Sequence, residues 1–492
     1  MINKELLIEE LLRYSQKHLG MSELDVPYFR NYLYHTFEVS NPKETSIDEN
    51  LIDDLKVPDF LTDKMMDYFV NEVGLNEKEA DVKITEIFGH LVPLPSVVNE
   101  TFNALYDINP KMATDYLYDL SVKSDYVKKS KIDRNIIYQK DVDDHHDLVV
   151  TINLSRPEKN NKDTAKNRGV VSSNYPKCAI CYENEGCYGS SKTPPRISLR
   201  TISLKLGNRD WFLQYSPFGY FQEHCIVVTK EHTPLEIKDE YLLALFDFVD
   251  LFPHYFIGSN AALPIVGGSI LEHEHFQGGL TEMPIMRVKN KDAIKTRFNN
   301  VNVFTLDWPS FVLKIESKDK KAALEATKEI TNIWSTYDDE QSNVISFTNE
   351  KHNAMSIIVK KIDDVYNIYL IPRNNRVDEA HPDGIFHVRK EYLAIKSESI
   401  GLIEAMGLFI LPPRLKRQLA TLEACVKKEQ DFDEVVALDS EMEIFRNLYQ
   451  RYSDKEFKNI EDLLFKVCDG IIHDTSVIKD VERQKVFLEL LK

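Results

Sequence analysis

One stretch constrains the fold more than any other: Gly267-Gly268-Ser269-Ile270-Leu271-Glu272-His273-Glu274-His275-Phe276-Gln277-Gly278-Gly279. Imidazole, imidazole and amide recur at every second position, and glycine pairs bracket the run. A repeat of two is the repeat of an extended strand, so His273, His275 and Gln277 are expected to face one pocket. Neutral imidazole is a nucleophile near pH 7, and a glutamine amide can donate to a phosphoryl oxygen. The glycines are expected to let a phosphate approach the main chain. Taken by itself, the same pair of histidines fits a solvated strand or a metal site equally well.

The surroundings narrow the choice. His224-Cys225-Ile226-Val227-Val228-Thr229-Lys230-Glu231-His232 reads as a buried strand with a histidine at its exit. From Leu235 to about Phe252 the apolar stripe Leu242, Leu245, Phe246 and Val249 predicts a helix. A further strand follows, from His254 to Asn260, and leads into the histidine segment. Upstream, Cys178-Ala179-Ile180-Cys181 is a chelating spacing, although a reduced pair in a turn satisfies it too. Two arginines, Arg196 and Arg200, stand between that pair and the next strand.

A net charge of −18 argues against nucleic acid as a partner, because phosphate backbones need a basic face. Any anionic ligand then requires a locally basic or donor-rich site. Arg196, Arg200 and Gln277 meet that need, and solvated surface charge accounts for the arginines as readily. There is no run of eighteen apolar residues, so no membrane span is expected. The acidic, amphipathic start Met1-Ile2-Asn3-Lys4-Glu5 is unlike a secretory signal, and a cytoplasmic location is expected. Six cysteines in 492 residues make no disulfide scaffold; Cys187, Cys225, Cys425 and Cys468 read as reduced, buried thiols.

Length allows two or three domain-sized units. Residues 1–145 read as mostly helical, with amphipathic stretches from Leu6, near Leu61 to Val73, at Glu77 to Phe88 and at Ser96 to Tyr106. Residues 146–300 hold the strand-rich unit with the histidine segment, a strand at Leu148 to Leu154 and a polar loop at Asn160 to Ser173. Residues 301–492 repeat the order: a strand at Phe311 to Ile315, a helix at Lys321 to Tyr337, and a hairpin of Ser356 to Lys361 with Tyr366 to Ile371 around Asp363-Asp364. Glu398 to Lys492 reads as helical. The fold class expected is α+β.

Many short segments, in order, carry a resemblance. They include Leu94-Pro95-Ser96-Val97-Val98-Asn99, Ala113-Thr114-Asp115-Tyr116, Ile152-Asn153-Leu154-Ser155-Arg156-Pro157-Glu158-Lys159 and Tyr175-Pro176-Lys177-Cys178. Further along come Trp211-Phe212-Leu213-Gln214-Tyr215-Ser216-Pro217, the histidine segment, Ile400-Gly401-Leu402-Ile403-Glu404-Ala405-Met406-Gly407 and Leu411-Pro412-Pro413-Arg414-Leu415-Lys416. In these the chain resembles galactose-1-phosphate uridylyltransferases of the second bacterial sequence family, distantly similar to the histidine-triad nucleotide hydrolases and transferases. The resemblance implies duplicated histidine-triad-like antiparallel-sheet units, one of which has lost its nucleophile. It implies ping-pong transfer of UMP from UDP-glucose to a hexose 1-phosphate, with His275 as nucleophile and Gln277 as phosphoryl donor. Arg196, Arg200, Asn260, Ser269 and Glu404 are the substrate contacts it suggests. Cys178, Cys181, His232 and His273 match a structural zinc site, with His224 a rival to His232. No organic cofactor is implied, and a homodimer is. Glu272 departs from the serine expected there; Glu272 and Glu274 are expected to point away from the histidines. Two other classes stay open: a histidine-triad-type nucleotide hydrolase or phosphorylase, and a non-catalytic nucleotide-sugar-binding relative.

Overall fold

The computed structural model describes residues 2–141, 146–154, 175–189, 194–268 and 270–492. Ser269, Ser155 to Lys159 and the loop expected at Asn160 to Ser173 lie outside the described residues. The N-terminal region is helical through Lys123, as its periodicity predicts. Each start has a physical cause. The Asn3 side chain accepts from the Leu6 amide ahead of the helix Lys4–His18. Asn76 and Glu79 cap the helix Glu77–Leu91 reciprocally, and Pro95 opens the helix Pro95–Ile108. Two strands close the region, β1 (Ile136–Asp141) and β2 (Asp147–Ile152), paired antiparallel.

The centre of the molecule is one sheet of ten strands. Its first five are β3 (Ile202–Leu206), β4 (Arg209–Tyr215), β5 (Cys225–Thr229), β6 (Phe256–Ser259) and β7 (His275–Gly279), with the helix Asp239–Leu251 between β5 and β6. The second five are β8 (Asn290–Ile294), β9 (Asn302–Leu306), β10 (Leu313–Ser317), β11 (Asn353–Ile362) and β12 (Val365–Asn374), with the helix Lys320–Ser335 between β10 and β11. The spatial order is β3-β4-β5-β7-β6-β11-β12-β10-β9-β8. Each half therefore repeats three strands, a helix and a hairpin whose second strand lies inside its first. The halves join where β6 runs antiparallel to β11, Gly258 opposite Ile358. The architecture is α+β, with two units that repeat one order of elements. The hairpin of β11 and β12 turns on Asp363 and Asp364, both at positive φ (46° and 65°), the conformation a two-residue hairpin needs.

The two faces of the sheet bury different cores. Trp211, Leu213, Val227, Ile257, Phe276, Ile357 and Leu370 pack against the two crossover helices and the N-terminal helices. Phe256, Ile358, Tyr369 and Ile371 pack on the opposite face against the C-terminal region. His275 and Gln277 alternate with Phe276 and so belong to that second face.

The C-terminal segment is not helical throughout. Leu408–Leu411 forms a strand, β13, parallel to β2 in a three-stranded sheet. A short apolar run buried on both sides is what a central or parallel strand presents, and its length of four residues hid it among helices.

Candidate active site

β7 lies between β5 and β6, with Val228 opposite His275, Ile226 opposite Gln277, and Gly258 opposite Gln277 on the other side. His275 is buried, and its Nδ1–H donates to the His273 carbonyl at 2.8 Å. That bond fixes the proton on Nδ1 and leaves the Nε2 lone pair as the reactive one. Burial also lowers the pKa of the ring and favours its neutral form. Gln277 is half-buried on the same face, two residues along.

His273 does not share this pocket. It sits in a bend before β7 and turns towards the cysteine pair. Its Nδ1 lies 3.4 Å from Cys178 Sγ and 3.5 Å from Cys181 Sγ, while the His232 Nδ1 lies 3.3 Å from Cys181 Sγ. The four ligand atoms all fall within 4.8 Å of one another. The sulfurs are 3.5 Å apart, and their mutual hydrogen bond raises the Cys178 thiol while holding that of Cys181 down. Nε2–H of His273 donates to the Thr229 carbonyl at 2.9 Å, which presents Nδ1 to the cluster. The residues fit a tetrahedral thiolate–imidazole metal site: donor types, proximity and an orienting bond all agree. His224, the rival ligand, is elsewhere; its Nε2 meets Gln277 Oε1 at 3.1 Å.

The other expected contacts divide. Asn260 is buried and its Oδ1 accepts from the Leu402 amide at 2.9 Å. Glu404 caps the short helix Leu402–Ala405 by accepting from the Gly401 amide at 3.1 Å, and pairs with Lys396 at 3.0 Å. Asn260 and Glu404 thus flank Gly401, and Leu402 packs against Gly258 beside Gln277. Arg196 and Arg200 are turned to the N-terminal region instead. Arg196 donates to the Tyr126 hydroxyl at 2.6 Å. Arg200 gives its five N–H groups to the carbonyls of Pro93, Ile197, Leu199, Gly89 and Val92. With no donor left for phosphate, Arg200 holds the end of the helix Glu77–Leu91, and substrate contact is no longer assigned to it. Nothing in its sequence neighbourhood distinguishes such a residue from a ligand.

One further expectation changes. The glycines serve the fold: a Cβ on Gly278 would lie 2.3 Å from the Phe256 carbonyl oxygen, and one on Gly267 would lie 2.2 Å from that of Ala261. The space a phosphate was expected to enter is filled by the neighbouring chain. Glu274 is buried and paired with Arg209 at 2.6 Å, whereas Glu272 is exposed.

Comparison with known proteins now decides the family. The model for the N-terminal domain of galactose-1-phosphate uridyl transferase matches residues 53–234, and that for the C-terminal domain matches residues 248–440. The chain belongs to the galactose-1-phosphate uridylyltransferase family. It is 39% identical over 472 residues to the galactose-1-phosphate uridylyltransferase of Clostridium acetobutylicum, covering 95% of this chain and 93% of that one. The Fusobacterium nucleatum protein of the same name is 35% identical, with 99% and 98% covered. That of Caldanaerobacter subterraneus is 38% identical, with 87% and 83% covered. The second half of the sheet carries no counterpart of the site. With Gly258 set against Ile358, the positions of Gln277 and His275 fall on Tyr369 and Asn367, and Tyr369 is buried in the second core.

Proposed function

We propose that this protein is a UDP-glucose–hexose-1-phosphate uridylyltransferase of galactose metabolism. The observation that carries the reading is the His275 imidazole, buried and neutral, with Nδ1 tied to the His273 carbonyl and Nε2 left as nucleophile. Nε2 attacks the α-phosphorus of UDP-glucose. An N–P bond forms, the bond from that phosphorus to the bridging oxygen breaks, and glucose 1-phosphate leaves. Galactose 1-phosphate then attacks the uridylyl-histidine through a phosphate oxygen, giving UDP-galactose and regenerating the ring. Gln277 donates to the phosphoryl oxygens as negative charge moves onto them. Neither the nucleophile nor the leaving phosphate is strongly basic, so no separate general base is needed.

Asn260, Ser269, Glu404 and Arg196 are kept as substrate-side residues. Support for Asn260 and Glu404 is the shared anchoring of the 400–404 segment beside β6 and β7. Cys178, Cys181, His232 and His273 would hold zinc. A closed thiolate–imidazole shell supplies rigidity alone, since it leaves no open position for substrate. All six cysteines are unbridged, in keeping with a cytoplasmic protein. Among the described residues no helix is long and apolar enough to cross a membrane. A homodimer is carried forward from the resemblance. The division at 1–145, 146–300 and 301–492 is also kept, although strand order supports a second unit that begins ahead of Asn290.

The test follows UMP. UDP-glucose labelled in the α-phosphate is mixed with the protein, with and without galactose 1-phosphate. A transferase retains label without acceptor and passes it to UDP-galactose with acceptor. Release of UMP to water would make the chain a hydrolase. Absence of any covalent label would make it a binding protein.

A further inference from the structure

We propose that His224 is a positioning residue that sets the orientation of the Gln277 amide. The inference rests on the uridylyl-transfer reading, because it assigns the direction in which Gln277 donates.

The geometry has three parts. His224 is buried immediately before β5, and the alternation of that strand puts it on the face of Ile226 and Val228, which is also the face of Gln277 and His275. Its ring lies between Tyr220 and Phe221, at centroid distances of 5.1 and 4.5 Å. Among the described residues its buried Nδ1 has no hydrogen-bond partner, while its Nε2 lies 3.1 Å from Gln277 Oε1.

The tautomer follows. A buried N–H without an acceptor costs more than a bare lone pair that gives up only a weak hydration contact. With nothing to accept a proton from Nδ1, the neutral ring carries its proton on Nε2. Nε2–H must donate, and an amide meets a donor with its carbonyl. Gln277 therefore turns Oε1 towards His224 and its NH₂ away from it. That NH₂ is the group able to bond a phosphoryl oxygen at His275. Reversal of the amide would aim a carbonyl at the phosphate, where it repels charge and donates nothing. Burial pushes the His224 pKa down to about 4, so the neutral ring persists through the working pH range. The aromatic walls keep water from the ring and keep the ring in one plane.

This chemistry asks for a donor at one atom. His224→Phe keeps the ring between Tyr220 and Phe221 and removes the donor. His224→Gln places an amide N–H near the former Nε2. In wild-type background His224→Phe is expected to lower kcat about fivefold, the size of one neutral side-chain hydrogen bond, with KM for UDP-glucose within about twofold. In a Gln277→Ala background the same substitution should change kcat by less than about twofold, because the group it orients is gone. His224→Gln should restore most of the loss. If Phe is not tolerated, His224→Met replaces it in the same cycle.

Equal losses in both backgrounds would overturn the proposal, as would a His224→Phe enzyme with unchanged kcat. The wild-type label experiment separates this from failure of the parent reading. Wild type that never acquires uridylyl label refutes the transfer reading. Labelled wild type with additive substitutions refutes the role of His224 alone.

Discussion

Function in this chain comes down to which nitrogen of each imidazole is committed. His275 uses Nδ1 on its own backbone, His273 uses Nε2 on Thr229, and His224 uses Nε2 on Gln277. Three histidines on or beside neighbouring strands thereby take three jobs. The sequence shows His275 and Gln277 clearly, because period two survives across β7. Period two alone puts His273 in the same pocket, whereas His273 lies in a bend ahead of β7, among the cysteines to which the resemblance assigned it. The sequence leaves His224 as a rival ligand, since no sequence signal says which histidine a side-chain amide will meet. Gln277→Ala is expected to lower kcat on the order of a hundredfold with little change in nucleotide affinity, checked by steady-state kinetics and equilibrium binding. If only binding weakens, Gln277 anchors the ground state. Cys178→Ser is expected to lose bound metal and melting temperature together, measured by elemental analysis and calorimetry, while activity per folded molecule falls far less than in His275→Ala. Buried His224 also carries a pH signature. Its folded pKa, about 4, is below the ordinary histidine value of 6.5, so between those values the unfolded chain binds the extra proton. Its contribution to stability is therefore intact above about 6.5 and declines as pH falls towards 4, and His224→Phe should flatten that part of the stability–pH curve.

At the scale of elements, close strand packing explains what composition cannot. Gly278 is required because β6 passes where its Cβ would stand, 2.3 Å from the Phe256 carbonyl oxygen. Gly278→Ala should push β6 from β7 and cost about 1–3 kcal/mol, read as a lower denaturation midpoint. An unchanged midpoint would mean that the strands have slack. Amphipathic helices and the Asp363-Asp364 hairpin are legible because their signals are local: apolar spacing, caps and turn residues. β13 and the bonds of Arg200 to Pro93, Gly89 and Val92 are not, since each depends on chain that arrives from more than a hundred residues away. Asn260 has the same character, with Leu402 as its distant partner.

At the scale of the whole molecule, the ten-stranded sheet repeats one order of elements, and only its first half carries His275 and Gln277. Tyr369 and Asn367 occupy the positions of Gln277 and His275, and Tyr369 lies under the C-terminal region. The order of elements in the second half is visible in the sequence, whereas the shared register is not, because no residue identity survives to mark it. The proposed mechanism has one reacting histidine in the two halves, and this can be measured directly. Protein incubated with UDP-glucose alone should carry one acid-labile UMP per chain, which peptide mass mapping places on His275. Addition of galactose 1-phosphate should remove it, and His275→Ala should never acquire it. Label on any other residue, or full turnover by folded His275→Ala, would contradict the mechanism.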